Sequence, residues 1–314
     1  MDEFELQVAK EVLGHEKKIK RELKKAFAES LKDVKTTIKE LQSSIDSLKK
    51  NNADESLIRS KIYQIEYQEM LKGEIELNLD LLAQKNVSTT AIYLKKMYND
   101  NYLGIVYDLQ AKYKIPVHNP VSPLHMVKSV TKKTEDYTFS ERLYSDVDRL
   151  KEVVKSEISR GIAQGNSYSK IAKRISEKYG TSYNNAYRIA RTEGARVSTE
   201  AQLQSMSDSI EKGADLLKRW DATLDDRTRD THAELDGQTV EYNEMFRYSG
   251  GEVEAPTMFV GADSAKENIN CRCRLSTIPR WAVDKTATRE DNIKGELIPY
   301  KTFTDWKKSY NKSF

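Results

Sequence analysis

The 314-residue sequence has few residues that interrupt helices and few that crosslink a fold. It contains two cysteines, six prolines and thirteen glycines. The first proline is Pro116 and only three glycines precede it, so the first third of the chain lacks the residues that most reliably break helices. Cys271 and Cys273 are separated by one residue and therefore cannot staple distant parts of the chain. We expect a fold held by packing, with a first third that is nearly all helix.

Long apolar runs and a net charge of one sign are also absent. Hydrophobic residues make up 38% of the chain, and no run of about 18 of them could span a bilayer, which excludes a membrane protein. The 52 basic and 49 acidic residues give a net charge of +3, and this whole excess lies in residues 280–314. The acidic N-terminus has no apolar stretch typical of a secretory signal. We therefore expect a protein that is made and kept in a reducing cytoplasm, without a membrane partner.

Apolar spacing predicts an extended helical arm over residues 1–112. Alternating steps of three and four predict a helix from near Asp2 to Lys50. Asn51 and Asn52 interrupt this pattern, and Asp54 is a good N-cap for a second helix that lies back on the first as an antiparallel hairpin. A third helical stretch is predicted from Thr89 to Lys112.

The remaining chain divides into four segments. Residues 113–139 hold three prolines and are interpreted as a connector. Residues 140–213 predict a bundle of three helices, interrupted near Gly165 and again at Tyr179–Gly180. Residues 214–280 predict a small α+β module, and residues 281–314 a basic, aromatic tail. The predicted fold class is mainly α: a long N-terminal helical hairpin and a helical bundle, followed by the α+β module.

Within the module, we predict a strand at Leu216–Trp220, a charged helix at Thr223–Asp236, a strand at Gln238–Tyr242 and a strand at Cys271–Ile278. The helical spacing would place Asp225, Arg229 and His232 on one face, with Asp236 one turn beyond.

His232, Cys271 and Cys273, with one of these aspartates, would satisfy tetrahedral zinc. A straight strand, however, holds alternate side chains about 7 Å apart. Two thiols that pack in a small core are therefore the alternative interpretation, and zinc is the only cofactor considered.

No catalytic residue is assigned, and no enzymatic activity is expected. The sequence contains no phosphate-binding glycine loop, nucleophile elbow or His-Glu-x-x-His motif. A nuclease would use His232 as general base, Arg229 or Arg272 against phosphate, and an acid from Asp225 or Glu234. The alternative is that His232 has a structural role, because a histidine on a polar helix often only makes hydrogen bonds that stabilise the fold.

Two further polar groups have open interpretations. The first lies in the last predicted helix of the bundle and comprises Arg188, Arg191, Glu193, Arg196 and Glu200. These residues either form ion pairs at the surface or dock the α+β module against the bundle. The second interleaves aromatic side chains with lysines in the tail and suits either nucleic acid or a partner groove. It comprises Lys301, Trp306, Lys307, Lys308, Tyr310 and Lys312.

The order of several short motifs resembles the signature of tailed-phage head morphogenesis proteins, the Mu-F-like minor head proteins, over residues 137–280. The matching signature residues are Arg191, Glu193, Trp220, Asp226, Arg229, His232, Asp236, Gly237, Cys271 and Cys273.

This resemblance implies a minor capsid protein of the virion. Such a protein would act in procapsid assembly inside the head near the portal vertex, after synthesis in the host cytoplasm. The implied partners are the portal protein, scaffold or major capsid protein and, weakly, the packaged DNA, whose retention or delivery it would influence. The alternative function is a toxin-like nuclease that is delivered with the phage DNA.

Overall fold

The computed structural model describes residues 3–50, 71–164, 166–283, 288–290 and 297–299. Helices dominate up to residue 211, and short strands follow. The helices are α1 (Glu3–Lys50), α2 (Glu76–Tyr107), α3 (Pro123–Val130), α4 (Phe139–Ala163), α5 (Tyr168–Glu211), α6 (Asp230–Leu235) and α7 (Ser264–Asn268). The strands are β1 (Leu216–Asp221), β2 (Thr239–Glu241), β3 (Phe246–Tyr248), β4 (Gly251–Val253), β5 (Arg274–Pro279), β6 (Thr288–Glu290) and β7 (Leu297–Pro299).

The mainly α fold class with a small α+β region is confirmed. The predicted first helix is present as α1, whereas the break at Asn51 and the N-cap at Asp54 lie outside the described residues. The stretch predicted to begin at Thr89 is not a separate helix, because α2 runs through this position without a glycine or proline to stop it. One turn of π-helix precedes α2 at Leu71–Ile75, and another follows it at Asp108–Lys112.

The chain forms two compact units, each of which combines residues of the predicted arm and bundle. One unit comprises residues 17–92 and 133–190, and the other comprises 1–16, 93–132 and 191–314. Among the described residues, no helix combines the length and the apolar character that crossing a bilayer requires.

The unit of residues 17–92 and 133–190 is an all-helical core. Phe27 packs edge-on against Tyr179 and Tyr183, with ring centroids 6.4 and 5.9 Å apart. The largest apolar side chains of this core are almost fully buried. They include Leu23, Leu79, Leu82, Leu143, Val147, Val154, Ile158 and Ile175.

Two helix boundaries in the middle of the chain differ from the prediction. Tyr179–Gly180 does not end a helix, since α5 is continuous and buries Ile175 and Ala186 on either side. One glycine inside a helix costs only about 1 kcal/mol, which packing readily offsets. The predicted connector contains α3, which Ser122 caps through the backbone N–H of His125 and which begins at Pro123.

In the other unit, a three-stranded antiparallel sheet has the order β2-β1-β5. Leu217 of β1 lies opposite Glu241 of β2 and Ile278 of β5. One hydrophobic cluster continues from this sheet to the ends of α2 and α5, and Trp220 is fully buried within it. The sheet is therefore anchored on the helices of its own unit.

Two predicted elements of the module are shorter than the sequence suggests. Residues 223–229 form a loop rather than the start of a helix, because the Asp225 and Thr228 side chains bond to nearby backbone groups there. The strand predicted from Cys271 begins at Arg274 instead, so both cysteines lie in the loop before β5. The strands predicted around Leu216 and Thr239 are present as β1 and β2.

Candidate functional site

His232, Cys271 and Cys273 converge in this module. The Nδ1 atom of His232 lies 3.2 Å from Sγ of Cys273 and 3.6 Å from Sγ of Cys271. One nitrogen and two sulfurs all lie within 4.8 Å of one another. His232 is 2% exposed and Cys271 is 5% exposed. Three potential metal-ligand atoms therefore share one buried site.

The short helix α6 places His232 against the sheet. The helix begins directly after Arg229, whose backbone is extended. Two residues after the helix ends, Gly237 adopts a φ of +79°. The backbone N–H of Gly237 donates to the carbonyl of Trp220 at 2.8 Å, which ties the end of α6 to β1. A residue with a side chain would be strained at this φ, so the tight exit from α6 favours glycine.

The loop that carries the two cysteines is held from both sides. Arg229 donates from Nη2 to the carbonyl of Ile269 at 2.7 Å. Arg272, between the cysteines, donates two bonds of 2.5 and 2.6 Å to the carboxylate of Asp225. Asn270 adopts a φ of +58°, which turns the chain immediately before Cys271. The loop therefore directs both thiols toward His232.

A second layer of side chains orients the imidazole. Oε2 of the buried Glu267 lies 3.0 Å from Nε2 of His232, and Thr231 donates to the same oxygen at 2.8 Å. The ring of Phe259 stacks on the imidazole at 5.1 Å between centroids, and Trp220 meets it edge-on at 6.1 Å. These contacts leave Nδ1 as the nitrogen that faces the sulfurs.

Electrostatic interactions distinguish the two thiols. The hydrogen bond from the Cys273 side chain, assisted by His232, lowers the pKa of the Cys271 thiol despite its burial. The same shared bond raises the pKa of Cys273, and burial adds to this rise. The double hydrogen bond from Arg272 holds the pKa of Asp225 well below its usual range. Asp225 is therefore an anion committed to Arg272.

A cavity of ≈ 410 Å³ reaches the two cysteines within the same unit. It also contacts residues of α1, α2, α5 and β5, including Glu16, Asn101, Arg191, Ser198 and Thr277. The thiols therefore lie at the wall of an open space, while His232 lies behind them.

The other residues predicted as metal ligands or catalytic groups do not join this cluster. Asp225, Arg229 and His232 do not share a helix face, because Asp225 lies in the loop and Arg229 precedes α6. Asp236 accepts the backbone N–H of Ala222 at 2.8 Å, which makes it a brace between α6 and β1. His232 is enclosed by aromatic rings, thiols and a carboxylate, so no phosphate-binding arginine faces it with a free guanidinium among the described residues.

Three members of the polar group in α5, Glu193, Arg196 and Glu200, form a buried network rather than a surface patch. Arg196 donates to Glu193 at 2.8 Å, to Glu200 at 2.9 Å and to the carbonyl of Ser129 at 3.0 Å. Arg196 therefore contacts the end of α3, while Thr192 of the same helix accepts the backbone N–H of Asn270 of the α+β module at 3.4 Å. Arg188 is exposed.

The remaining signature residues have different positions. Arg191 pairs with Glu16 at 3.1 Å, whereas Asp226 is exposed in the loop before α6. The tail residues Lys301, Trp306, Lys307, Lys308, Tyr310 and Lys312 lie outside the described residues.

Sequence reasoning missed the residues that support the cluster. Glu267, Thr231 and Phe259 contact His232 or its partners but belong to no metal-binding or catalytic motif. Glu267 lies four residues before Cys271, which is the one local signal that could have pointed to it. Its contact with His232 depends on the tertiary packing of α7 against α6.

Comparisons with known proteins identify relatives. The family described as Phage Mu protein F like protein matches residues 152–276. The minor head protein GP7 of Bacillus phage SPP1 is 27% identical over 301 residues, which cover 92% of this chain and 91% of that protein. The NAD(+)–arginine ADP-ribosyltransferase EFV of Enterococcus faecalis is 32% identical over 253 residues, which cover 80% of this chain.

The chain spans about half the length of the enterococcal relative, since the match covers 51% of that protein. No solved structure matches the chain significantly. The family match includes most of the module and its His-Cys-Cys cluster, and the similarity to the SPP1 protein extends along nearly both whole chains. The chain is therefore similar to the Mu-F-like family of phage minor head proteins, through the family match over residues 152–276 and through the whole-length similarity to the SPP1 protein.

Proposed function

We propose that this protein is a minor component of the phage head that acts in procapsid assembly at the portal vertex. It would reside inside the head and influence the retention or delivery of the packaged DNA. The observation that carries this proposal is the similarity to the SPP1 minor head protein, because it covers 91% of that protein and leaves little of either chain unmatched.

The composition of the chain is consistent with this role. Helical faces with mixed charge suit contacts with other helical subunits, such as those of a portal protein, a scaffold or the major capsid protein. The balanced charge up to residue 279 avoids strong adhesion to concentrated DNA, while the basic excess in residues 280–314 supplies a weak attraction.

Procapsid assembly from purified genes tests the proposal. The full chain is co-expressed with the coat, scaffold and portal proteins of the same phage, and procapsids are isolated by sedimentation. We expect the chain to co-sediment and to resist added protease until the shells are opened. Full-length protein is required, because residues of α1 such as Leu23 complete a compact core. Failure to co-sediment would contradict a role in the head, and digestion in intact shells would contradict an interior position.

An enzymatic function is the second candidate, because one relative is named as an arginine ADP-ribosyltransferase. About half of that relative lies beyond the match, so the named activity need not belong to the shared part. We expect the full chain to transfer no labelled ADP-ribose from NAD+ to arginine-containing acceptors, and to cleave neither RNA nor DNA. Labelling or cleavage that co-purifies with the chain would favour an enzyme, in place of or beside the assembly role.

A further inference from the structure

We propose that His232, Cys271 and Cys273 bind one Zn²⁺ ion, with a fourth coordination position open to the adjoining cavity. This site would be independent of the assembly role. It rests on the positions of the three ligand atoms, on the side chains that orient them and on the cavity that gives access to them.

The separations between the ligand atoms suit a shared tetrahedral ion. With Zn–S bonds of about 2.3 Å and Zn–N bonds of about 2.0–2.1 Å, sulfur and nitrogen ligands lie roughly 3.6 Å apart. Nδ1 of His232 lies 3.2 Å from one sulfur and 3.6 Å from the other. Only small shifts of the three side chains would place an ion between them. The loop conformation of residues 271–273 is what permits this, because a straight strand would separate the thiols.

The supporting side chains have the arrangement that is typical of a metal-bound histidine. Such a histidine usually gives its second ring nitrogen to a carboxylate, which fixes the tautomer and the ring orientation. Glu267 occupies that position at Nε2 of His232, and Thr231 holds the carboxylate. The nearby carboxylate favours a proton on Nε2, and in that tautomer the lone pair of Nδ1 points toward the two sulfurs.

Hydrogen bonds can join the three groups only in sequence, from one thiol to the other and on to the imidazole. With its proton on Nε2, the imidazole offers one lone pair, so it accepts a hydrogen bond from only one thiol at a time. A metal ion engages both sulfurs and the nitrogen together. Binding would release the two thiol protons to solvent, and the two thiolates would neutralise the charge of Zn²⁺.

The residues around the cluster hold the cysteine loop in place and leave an entry path. Arg229 and the Asp225–Arg272 pair hold the cysteine loop without using any of the three ligand atoms. The cavity of ≈ 410 Å³ touches both cysteines, so an ion and a bound water molecule can approach from that side. Within the described residues, no fourth histidine, cysteine or carboxylate belongs to the group. The ion would therefore have three protein ligands and one open coordination position.

Metal analysis of the full-length protein tests the proposal. The chain is purified under reducing conditions without a histidine tag or chelator, and its zinc content is measured by elemental analysis. We expect about one zinc per chain, with at least a fivefold loss in each of Cys271→Ser, Cys273→Ser and His232→Ala. The matched control is His125→Ala, which removes an exposed histidine on α3 and should leave the zinc content unchanged.

Two measurements on the unmodified chain keep the proposal testable if the variants fail to fold. Replacement of zinc by Co²⁺ should give the visible absorption of a tetrahedral ion with thiolate ligands. Both thiols should react slowly with a thiol reagent, and at least tenfold faster once a chelator is added. The proposal is overturned if the chain takes up less than about a tenth of an equivalent of zinc, or if folded variants retain their zinc. A mass lower by two hydrogens under non-reducing conditions, which marks a Cys271–Cys273 disulfide in the purified chain, would also overturn it.

Discussion

At the scale of single residues, Arg196 is a buried cation, although the sequence around it is polar. It donates hydrogen bonds to three groups. Its side chain is 6% exposed, and its guanidinium contacts two carboxylates and one carbonyl. Removal of one member of a buried ionic network is costly, because the remaining charges lose their partner but stay out of water.

Replacement of this residue gives the first prediction. Arg196→Ala removes the cation between Glu193 and Glu200 and should lower the free energy of unfolding by about 3–5 kcal/mol. Arg188→Ala, an exposed position on the same helix, should change it by no more than about 0.5 kcal/mol. Urea denaturation of both variants measures the difference. Equal effects of the two substitutions would contradict the buried network.

Lys218 of β1 is a buried lysine that the sequence does not mark as unusual. It is 1% exposed, and its Nζ donates to the carbonyl of Glu254 at 3.0 Å. Burial lowers the pKa of Lys218 in the folded protein. The unfolded chain therefore holds the proton more tightly, so this residue costs stability at neutral pH, and the cost fades as the pH rises toward about 10.4.

Removal of this charge should therefore be stabilising. Lys218→Met should raise the free energy of unfolding by about 1 kcal/mol at pH 7, with a smaller gain as the pH approaches about 10. Thermal unfolding across this pH range checks both the sign and the trend. Lys128→Met, at an exposed position on α3, should show neither effect. A Lys218→Met chain that is less stable than the parent at pH 7 would show that the bond to Glu254 outweighs the burial.

Residue types and spacing predicted part of the site. They identified His232, Cys271 and Cys273 as one candidate group, and they paired Arg196 with Glu200. They could not show that Asp225 is neutralised by Arg272, because this contact joins two loops that lie 47 residues apart. For Glu267 they offered only its spacing of four residues from Cys271, because its contact with His232 depends on where α7 packs.

At the scale of elements, α5 contains two glycines with opposite surroundings. A Cβ atom at Gly180 would meet nothing within 4 Å, whereas one at Gly194 would lie 2.8 Å from Cε1 of the buried Tyr93. Gly194 is thus required for close packing between α5 and α2. At position 180 a side chain would fit, and glycine there only weakens the helix.

The two glycines form a matched pair of substitutions. Gly180→Ala should raise the free energy of unfolding by about 0.5–1 kcal/mol, because alanine loses less backbone entropy in a helix. Gly194→Ala should lower it by about 1–3 kcal/mol, because the Tyr93 ring must move. Denaturant titrations of the two variants provide the comparison. A stabilising Gly194→Ala would mean that α5 and α2 are less closely packed than described.

Element boundaries were predicted well where periodicity was long and poorly where side chains decided them. The apolar repeat of α1 located a helix of 48 residues. Glycine at position 180 predicted a break that the packing of Tyr179 and Ala186 overrides. The loop at 223–229 looked helical because its charged residues have helical spacing, yet Asp225 and Thr228 bond to its own backbone instead.

At the scale of the whole molecule, the family match over residues 152–276 and the similarity to the SPP1 minor head protein support the resemblance seen in the sequence. Several of the signature residues lie at one site: Arg229 and Asp236 hold its loops, Trp220 packs on it, and His232 forms it with the cysteines. The domain limits at residues 112, 139, 213 and 280 stay predictions.

The dependence of head incorporation on the portal tests the assembly role most directly. Procapsids are assembled from coat and scaffold proteins with this chain, once with the portal protein and once without it, and the amount of chain per shell is measured by quantitative mass spectrometry. We predict a few copies per shell when the portal is present and a loss of at least tenfold when it is absent. Equal incorporation in both preparations, or none in either, would contradict an assembly role at the portal vertex.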